Sequence, residues 1–290
     1  MFSPHLALIV HNCGSSERTT LDMVTVQPNP PRWQTQTRTE FVDYYARQSL
    51  TPESQERSRR LRDKLLAFHG QGSNSLDVAD IGCNAGTQSR AWAELGHQVY
   101  GIDINQDLVQ IADQRLREAK LPANFQLASA TALPFPDASM DICIAPELLE
   151  HVAEWERCLE EFARILRPGG VLFVSTTNRL CPVQNEFTLP LYSWYPAPLK
   201  RHCERLAVTT RPELANYAAY PAVNWFTYFQ LRDFLNRFGV QSYDRFDSMD
   251  ANQSPLRRLA LTTIRRLSPM RRLAHMLSPS TALIGRKLPT

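Results

Sequence analysis

The 290-residue chain lacks the features that mark membrane, disulfide-rich and zinc-binding proteins. No apolar run approaches the roughly 18 residues that a membrane span needs. Residues 6–10 are too few for the core of a signal peptide, and no Lys or Arg precedes them, so a cytoplasmic protein is expected. The six cysteines form no Cys-x-x-Cys pair, which favours reduced thiols over disulfides or a zinc site.

Acidic residues are absent from the last 40 positions. Residues 251–290 carry seven Arg and one Lys, whereas residues 1–250 carry 24 basic and 29 acidic side chains. Within this tail, apolar residues recur at helical spacing and arginines lie toward the opposite face. The apolar set is Leu256, Leu259, Ala260, Thr263, Ile264 and Leu267, and the basic set is Arg257, Arg258, Arg265 and Arg266.

This pattern predicts a basic amphipathic helix over 254–278, inserted before a last strand and associated with anionic lipid at the inner membrane face. Nucleic acid is the less favoured partner, because the tail offers no aromatic side chain for stacking on bases. A helix packed on the domain with a solvated arginine face is the alternative.

The body of the chain alternates short apolar runs with helical patterns. Residues 1–38 are polar and aperiodic, so we expect a flexible segment followed by one domain over 39–290. A helix is predicted from Thr51 to Gly70, with Leu61, Leu65 and Phe68 buried. The predicted strands are Leu76–Ile81, Gln98–Ile102, Asn124–Ala128, Met140–Ala145, Val171–Thr176, Val240–Phe246 and Thr281–Lys287; the helices between them are Thr87–Leu95, Gln106–Ala119, Glu154–Leu166 and Thr227–Phe238, and a turn is expected at 167–170. Near-continuous apolar strands separated by helices predict an α/β fold with a doubly wound, mostly parallel sheet.

A glycine-rich turn follows the first predicted strand. The run Asp80-Ile81-Gly82-Cys83-Asn84-Ala85-Gly86 ends a strand and opens a helix, where backbone N–H groups can face a ligand. The dinucleotide fingerprint Gly-x-Gly-x-x-Gly is not met, since Asn84 and Thr87 take two of its glycine positions. The spacing resembles the first motif of class I methyltransferases, and Asn84 is a mild departure because Asn tolerates a left-handed backbone. A tight turn without a ligand is the alternative.

The second predicted strand ends in a carboxylate. Tyr100-Gly101-Ile102-Asp103 places Asp103 17 residues beyond Gly86. A carboxylate at this strand end can accept hydrogen bonds from both ribose hydroxyls of a nucleoside. The alternative is that Asp103 is a solvated charge without a ligand. This alternative is less favoured when Asp103 and the glycine-rich turn are considered together.

Three further stretches follow in order. They are Ser129-Ala130-Thr131-Ala132-Leu133-Pro134-Phe135 with Asp137 and Asp141, then Glu147-Leu148-Leu149-Glu150-His151-Val152, then Leu166-Arg167-Pro168-Gly169-Gly170. Together with the two motifs they resemble the ubiquinone-pathway-type (methyltransferase type 11) family over roughly residues 76–178. Ser129 departs from the family, which usually has Asp where the chain passes the adenine edge.

The resemblance implies a transferase that uses S-adenosyl-L-methionine, on a seven-stranded Rossmann-like class I methyltransferase fold whose last strand is antiparallel. It implies that the cofactor lies across the carboxyl ends of the first, second and fourth strands, closed over by N-terminal helices through Tyr44 and Tyr45. The implied cofactor-binding residues are Asp80, Gly82, Asn84, Gly86, Asp103, Ile104, Ser129, Ala130 and Glu147.

His151 is the candidate catalytic base, because an imidazole titrates near neutral pH. A purely structural histidine is the equal alternative. Glu147, Glu150 and His151 also form a Glu-x-x-Glu-His array that suits Mg, Mn or Zn. Helix-start acids favoured by the macrodipole are the preferred interpretation, so whether a metal binds stays open.

Residues 179–224 are expected to form a substrate lid. Ten of the 27 aromatic residues lie between Phe187 and Phe229, which favours an apolar or aromatic acceptor. The aromatic candidates are Tyr192, Trp194, Tyr195, Tyr217, Tyr220, Trp225 and Phe226. O-methylation of a small hydroxylated acceptor is therefore the leading hypothesis. The alternatives are an RNA-modifying methyltransferase that uses the Arg-rich tail and a catalytically silent, membrane-associated adaptor with the same fold.

Overall fold

The computed structural model describes residues 42–43, 45–70, 74–215, 221–250 and 254–289. The predicted flexible segment 1–38 and the candidates Tyr44, Tyr217 and Tyr220 lie outside the described residues. The described helices are α1 (Pro52–His69), α2 (Thr87–Ala93), α3 (Gln106–Glu118), α4 (Trp155–Ile165), α5 (Ala197–Thr209), α6 (Tyr228–Asn236), α7 (Pro255–Arg266) and α8 (Ser268–Met276). The strands are β1 (Asp77–Ile81), β2 (Gln98–Asp103), β3 (Ala123–Leu127), β4 (Met140–Pro146), β5 (Leu166–Thr177), β6 (Val240–Asp244) and β7 (Ser280–Lys287).

The seven strands form one sheet in the order β3-β2-β1-β4-β5-β7-β6. Strands β1 to β5 pair in parallel, and β7 lies antiparallel between β5 and β6. The predicted mostly parallel sheet with an antiparallel last strand is confirmed. From β1 the chain builds the sheet toward β3 and then returns to add β4 on the other side, which makes the β1–β4 boundary a topological switch point.

Apolar cores cover both faces of the sheet, and β4 contributes alternately to each. Cys143 and Ala145 face the core packed by α4 and α6, whereas Ile142 and Ile144 face the core packed by α1 and α2. All four side chains are fully buried. The absence of polar residues from positions 142–145 therefore follows from helices lying on both sides of the strand.

Helix α1 has the predicted ends. The hydroxyl of Thr51 caps its first turn, and Gly70 ends it with φ 76°, a left-handed conformation that favours glycine. Of the predicted apolar stripe, Leu65 is fully buried, whereas Leu61 and Phe68 are half-buried against the same core.

The turn predicted at 167–170 lies inside β5, which is a correction. Strand β4 pairs Met140 with Leu166 and Ile142 with Val171, so the four residues between Leu166 and Val171 bulge out of the pairing. A Cβ on Gly170 would lie 2.9 Å from a backbone carbonyl oxygen. The glycine thus permits a bulge inside a strand that begins at Leu166, whereas the sequence predicted a turn that leads into a strand beginning at Val171.

The basic segment 254–278 forms two helices where one was predicted. Leu267 is extended and separates α7 from α8. Arg271 Nε donates to Asp244 Oδ2 at 2.7 Å, and His275 Nε2 lies 2.9 Å from the same oxygen, so α8 is tied to the end of β6. Within the described part of the chain, no helix combines the length and the apolar character needed to cross a membrane.

Candidate active site

A cavity of about 370 Å³, here called the first cavity, lies at the carboxyl ends of β1 and β4. Its walls come from the turn after β1, the start of α2, the ends of β4 and β5, and the segment that leads into and forms α1. The residues that line it include Tyr45, Arg57, Ser58, Asp80, Gly82, Asn84, Glu147 and Ser175. Ligands of open α/β sheets bind at such a switch point. The first cavity is therefore the candidate site.

The turn after β1 owes its shape to left-handed backbone. The φ angles are 73° at Gly82, 51° at Asn84 and 81° at Gly86. The departure at Asn84 is accommodated, because the residue takes a conformation that Asn adopts more readily than most side chains. A Cβ on Gly86 would lie only 3.0 Å from the Cβ of Ala112, so glycine at this position lets α3 approach the turn closely.

Asp80 places an unpartnered carboxylate oxygen at the first cavity. The side chain is 1% exposed, and its Oδ2 accepts a hydrogen bond from Ser89 Oγ at 2.6 Å. Its Oδ1 is buried and has no hydrogen-bond partner among the described residues. Burial raises the pKa of Asp80 to about 6. Buried polar atoms are almost always satisfied, so this oxygen is a natural acceptor for a ligand donor.

Asp103 joins the end of β2 to the same turn. Its Oδ2 accepts from the backbone N–H of Asn84 at 3.0 Å, and its Oδ1 accepts from the N–H of Asn105 at 2.9 Å. Burial raises the pKa of this carboxyl as well. Asp103 stands beside the first cavity and does not line it. Each carboxylate oxygen keeps a lone pair after these bonds, so the group can still accept from a ligand hydroxyl.

Three other predicted cofactor residues follow the ends of β2 and β3 along the same edge. Ile104 is 64% exposed, Ala130 is buried, and the exposed Ser129 has its hydroxyl 2.8 Å from that of Thr131. The backbone carbonyl of Asp103 accepts from the N–H that follows β3 at 3.1 Å, which holds the two strand ends together. The structure places these residues beside Asp103 and outside the lining of the first cavity. Their role stays a prediction.

Glu147 completes the wall at the end of β4. It has φ 50°, and its Oε1 accepts from Ser175 Oγ at 2.6 Å. A left-handed backbone at a non-glycine residue costs about 1–2 kcal/mol and is concentrated at functional sites. Glu147 is therefore held by β5 at the wall of the first cavity, and its role in cofactor binding stays a prediction.

The neighbouring Glu150 is fully buried. Its Oε2 accepts from Thr176 Oγ1 at 2.7 Å, and burial together with the charge of Glu147 holds its pKa well above the usual range. His151, the predicted base, is half-buried on a short turn of 3₁₀-helix after β4 and does not line the first cavity. Its catalytic role stays a prediction.

The metal alternative gains no support. Among the described residues, no group of three or more His, Cys, Asp and Glu side chains is arranged to hold a metal ion. Glu147 and Glu150 instead bind the hydroxyls of Ser175 and Thr176.

Most of the described aromatic residues of the predicted lid pack against one another in a small separate core. Phe187 stacks on Tyr192 with ring centroids 4.0 Å apart, and Trp225 meets Tyr192 edge-on at 5.5 Å. Tyr192 is fully buried, whereas Trp194 is 51% exposed and donates to a backbone carbonyl. Most of these rings therefore pack the insertion, which is the role that a single aromatic residue most often has.

A smaller space of about 230 Å³, here called the second cavity, lies between this core and the body of the domain. Its walls include Trp155, Arg179, Tyr195, Lys200, Trp225 and Phe226. Sequence reasoning named three of these rings but neither cation, because the two cations lie 21 positions apart in a region without a motif.

Sequence reasoning also missed most of the α1 wall of the first cavity. Tyr45 lines the cavity, as expected, and so do Arg57 and Ser58. These residues precede the glycine-rich turn by more than 20 positions. The only local indication was a polar, positively charged face on a helix whose other face is apolar.

Residues 79–174, about a third of the chain, match the Methyltransf_11 family, described as a methyltransferase domain. The family resemblance predicted from the motifs is thereby confirmed over this stretch. The fold is that of class I methyltransferase domains.

Three relatives have the name ubiquinone biosynthesis O-methyltransferase. The chain is 39% identical to the one from Cupriavidus pinatubonensis, over 35% of this chain and 41% of the relative. It is 34% identical to the one from Rhizobium etli, over 41% of this chain and 50% of the relative. It is 36% identical to the one from Coxiella burnetii, over 35% of this chain and 44% of the relative. The chain therefore spans half or less of the length of these relatives.

Solved methyltransferase structures share the fold. A putative sarcosine dimethylglycine methyltransferase from Galdieria sulphuraria has a TM-score of 0.53 at 14% identity, over 82% of this chain and 87% of that one. Phosphoethanolamine N-methyltransferase 2 from Haemonchus contortus, in complex with phosphomonomethylethanolamine and S-adenosylhomocysteine, has a TM-score of 0.51 at 15% identity, over 80% and 53%. At these identities the likeness concerns the fold alone.

Proposed function

We propose that the protein is an S-adenosyl-L-methionine-dependent methyltransferase that acts on a small apolar or aromatic hydroxylated acceptor, with O-methylation favoured. The observation that carries the proposal is the buried, unpartnered Oδ1 of Asp80 in a cavity formed by the glycine-rich turn. The domain match over residues 79–174 supports it.

The residues around the first cavity fit the parts of this cofactor. Asp103 offers a carboxylate, already oriented by two backbone N–H groups, to the ribose hydroxyls. Asp80 offers its free oxygen to the ammonium of the methionine part, and the exposed Arg57 offers a guanidinium to its carboxylate. When bound, the cofactor supplies a methyl group on a sulfonium.

The remaining work is positioning and proton removal. Alignment of two reactants in a site is worth about 7–11 kcal/mol, and the walls of the first cavity would provide it for an in-line methyl transfer. A hydroxyl acceptor must also lose a proton, and we assign that step to His151 on the turn after β4. The names of the sequence relatives, together with the aromatic insertion, favour a hydroxylated aromatic acceptor.

Calorimetric titration with S-adenosylmethionine tests the cofactor assignment. Replacing Asp103 by Ala should weaken binding by about 1–3 kcal/mol, because a charge-assisted contact is lost. The matched control is Asp233→Ala, which removes an exposed carboxylate on α6 outside the first cavity. Equal affinities of the two variants would refute the role of Asp103. Transfer of a labelled methyl group to phenolic acceptors then separates an enzyme from a silent adaptor that binds cofactor only.

We further propose that α7 and α8 bind the protein to anionic membranes. Leu256 is 81% exposed, Leu259 66% and Leu277 78%, and the region 251–290 contains no acidic residue to oppose an anionic surface. A basic residue near such a surface contributes about 1 kcal/mol. Exposed leucines beside arginines match the composition of helices that lie in the membrane interface.

One predicted lipid contact is corrected. The guanidinium of Arg265 donates to the backbone carbonyls of Phe246, Asp247 and Met249, so it fastens α7 to the loop after β6. Arg266 is exposed and stays a candidate. The basic helices thus have an anchored side and an exposed side.

Vesicle flotation tests the membrane proposal. The protein should float with vesicles that contain phosphatidylglycerol and stay behind with pure phosphatidylcholine. The variant Leu256→Gln with Leu259→Gln and Arg266→Gln should lose this binding, whereas Leu95→Gln, which changes an exposed leucine elsewhere, should keep it. Flotation that does not depend on lipid charge, or that is unchanged in the triple variant, would contradict the proposal.

A further inference from the structure

The second cavity contains two cations and no acid. None of its ten lining residues is Asp or Glu, and Arg179 and Lys200 both contribute to the wall. Among the described residues, neither side chain forms a salt bridge within 4 Å. A cavity with unneutralised positive charge attracts an anion.

Lys200 is held in place without a salt bridge. Its Nζ donates to the backbone carbonyl of Ser193 at 2.9 Å and lies 4.5 Å from the centroid of the Trp225 ring. An ammonium has three N–H donors, so two are left for a ligand. The pKa of Lys200 is lowered to about 8, chiefly by burial and also by the charge of Arg179, while the charge of Glu204 opposes this shift. An anion bound here would relieve this unfavourable environment.

Arg179 is positioned by its backbone. Its N–H donates to the carbonyl of Phe226 at 2.7 Å, and the preceding Asn178 forms a parallel bridge to the same residue. The chain is thus fixed where β5 ends, and the exposed residue Arg179 contributes to the wall of the cavity. A guanidinium in this position can bind a carboxylate through two parallel hydrogen bonds.

Aromatic rings form the rest of the wall. Trp155 meets Phe226 edge-on with centroids 5.2 Å apart, and Trp225 is 9% exposed. A volume of about 230 Å³ is below the roughly 300–1,000 Å³ of pockets for drug-sized ligands, so the space suits a molecule with a single ring. Flat apolar walls next to two cations recognise an apolar body with one negative group.

We propose that the second cavity is a binding site for a small organic acid, in which an aromatic ring or similar flat apolar body carries a carboxylate. The carboxylate lies between Arg179 and Lys200, and the ring lies against Trp155 and Trp225. This proposal does not depend on methyl transfer, since binding can be measured without the cofactor.

Calorimetry with benzoate on the full chain tests the site. Benzoate should bind saturably, whereas benzyl alcohol, which lacks the charge, and acetate, which lacks the ring, should each bind at least about tenfold more weakly. Lys200→Met and Arg179→Gln should each weaken benzoate binding by about tenfold. Lys200→Arg, which keeps the charge, should restore most of the affinity.

The matched control is Arg205→Gln, which removes an exposed cation from the same helix as Lys200 but outside the cavity. Its affinity for benzoate should equal that of the unchanged protein. Thermal unfolding of each variant shows whether the fold is intact. The proposal is overturned if benzoate does not saturate, if benzyl alcohol binds as tightly, or if Arg205→Gln weakens binding as much as Lys200→Met in folded proteins.

Discussion

The first and second cavities both lie beyond the carboxyl ends of parallel strands, yet they are built in different ways. The first depends on backbone conformation, with left-handed residues at Gly82, Asn84 and Glu147. The second depends on side chains, with two cations and several rings contributed by separate segments. The contrast is between a site shaped by turns and a site shaped by packed side chains.

This difference decides which site can be found from sequence. A left-handed turn restricts the residue types at neighbouring positions, so it leaves a short motif with fixed spacing. Side chains that meet only after folding, such as Trp155, Arg179 and Lys200, leave no spacing to find. The first cavity should therefore be sensitive to changes of backbone conformation, and the second to changes of charge.

The largest expected effect comes from Gly86→Val. Gly86 has φ 81°, and a Cβ there would overlap Ala112 at 3.0 Å. A left-handed backbone costs about 1–2 kcal/mol and overpacking about 1–3 kcal/mol, so the free energy of unfolding should fall by about 3 kcal/mol. Urea denaturation at neutral pH measures this change.

Gly96→Val is the control for Gly86→Val. Gly96 has the same φ of 81°, but a Cβ added to it would meet nothing within 4 Å. Only the backbone cost of about 1–2 kcal/mol should appear. If both variants lost the same stability, the close approach of α3 to the turn would not matter, and the contrast between the two cavities would weaken.

Most of the sheet was predictable because burial on both faces leaves a simple pattern. Strand β4 was predicted as Met140–Ala145, and in the structure it ends one residue later. The prediction succeeded because residues 142–145 pack alternately on the two cores and are therefore all apolar. The bulge at 167–170 was not predictable, because the sequence of a Pro-Gly-Gly turn that precedes a strand does not differ from that of a bulge within one. Only the pairing with β4 distinguishes them.

The candidate site was predictable where the backbone sets it. Asp80, Gly82, Asn84 and Glu147, which the motifs named, line the first cavity, whereas Asp103 stands beside it, and their binding of the cofactor stays a prediction. The contribution of Arg57 and Ser58 on α1 was not predictable, because only tertiary packing brings that helix next to the glycine-rich turn. The hydrogen bonds of Arg265 were not predictable either, because its carbonyl partners belong to the loop after β6.

A smaller effect, the pH dependence of stability that Asp80 causes, distinguishes the first cavity from the second. Burial raises the pKa of Asp80 from 3.8 to about 6, the hydrogen bond from Ser89 opposes this, and the charge of Asp103 adds to it. The unfolded chain releases this proton near pH 3.8, but the folded protein keeps it until about pH 6. The folded state therefore binds more protons between these values, and stability falls as pH rises through them.

Asp80→Asn removes this titration. Relative to the unchanged protein, its free energy of unfolding should increase by about 2–3 kcal/mol between pH 4 and pH 7, as measured by urea denaturation across that range. Glu161→Gln is the control of opposite sign, because the hydrogen bond from Arg164 lowers the pKa of Glu161, whose stabilising effect is lost as pH falls below about 4.5. That variant should lose stability relative to the unchanged protein as pH rises from about 3 to about 5. A constant difference for Asp80→Asn would show that the carboxyl is not strained by burial, and the first cavity would then lack the unsatisfied acceptor that distinguishes it from the cationic second cavity.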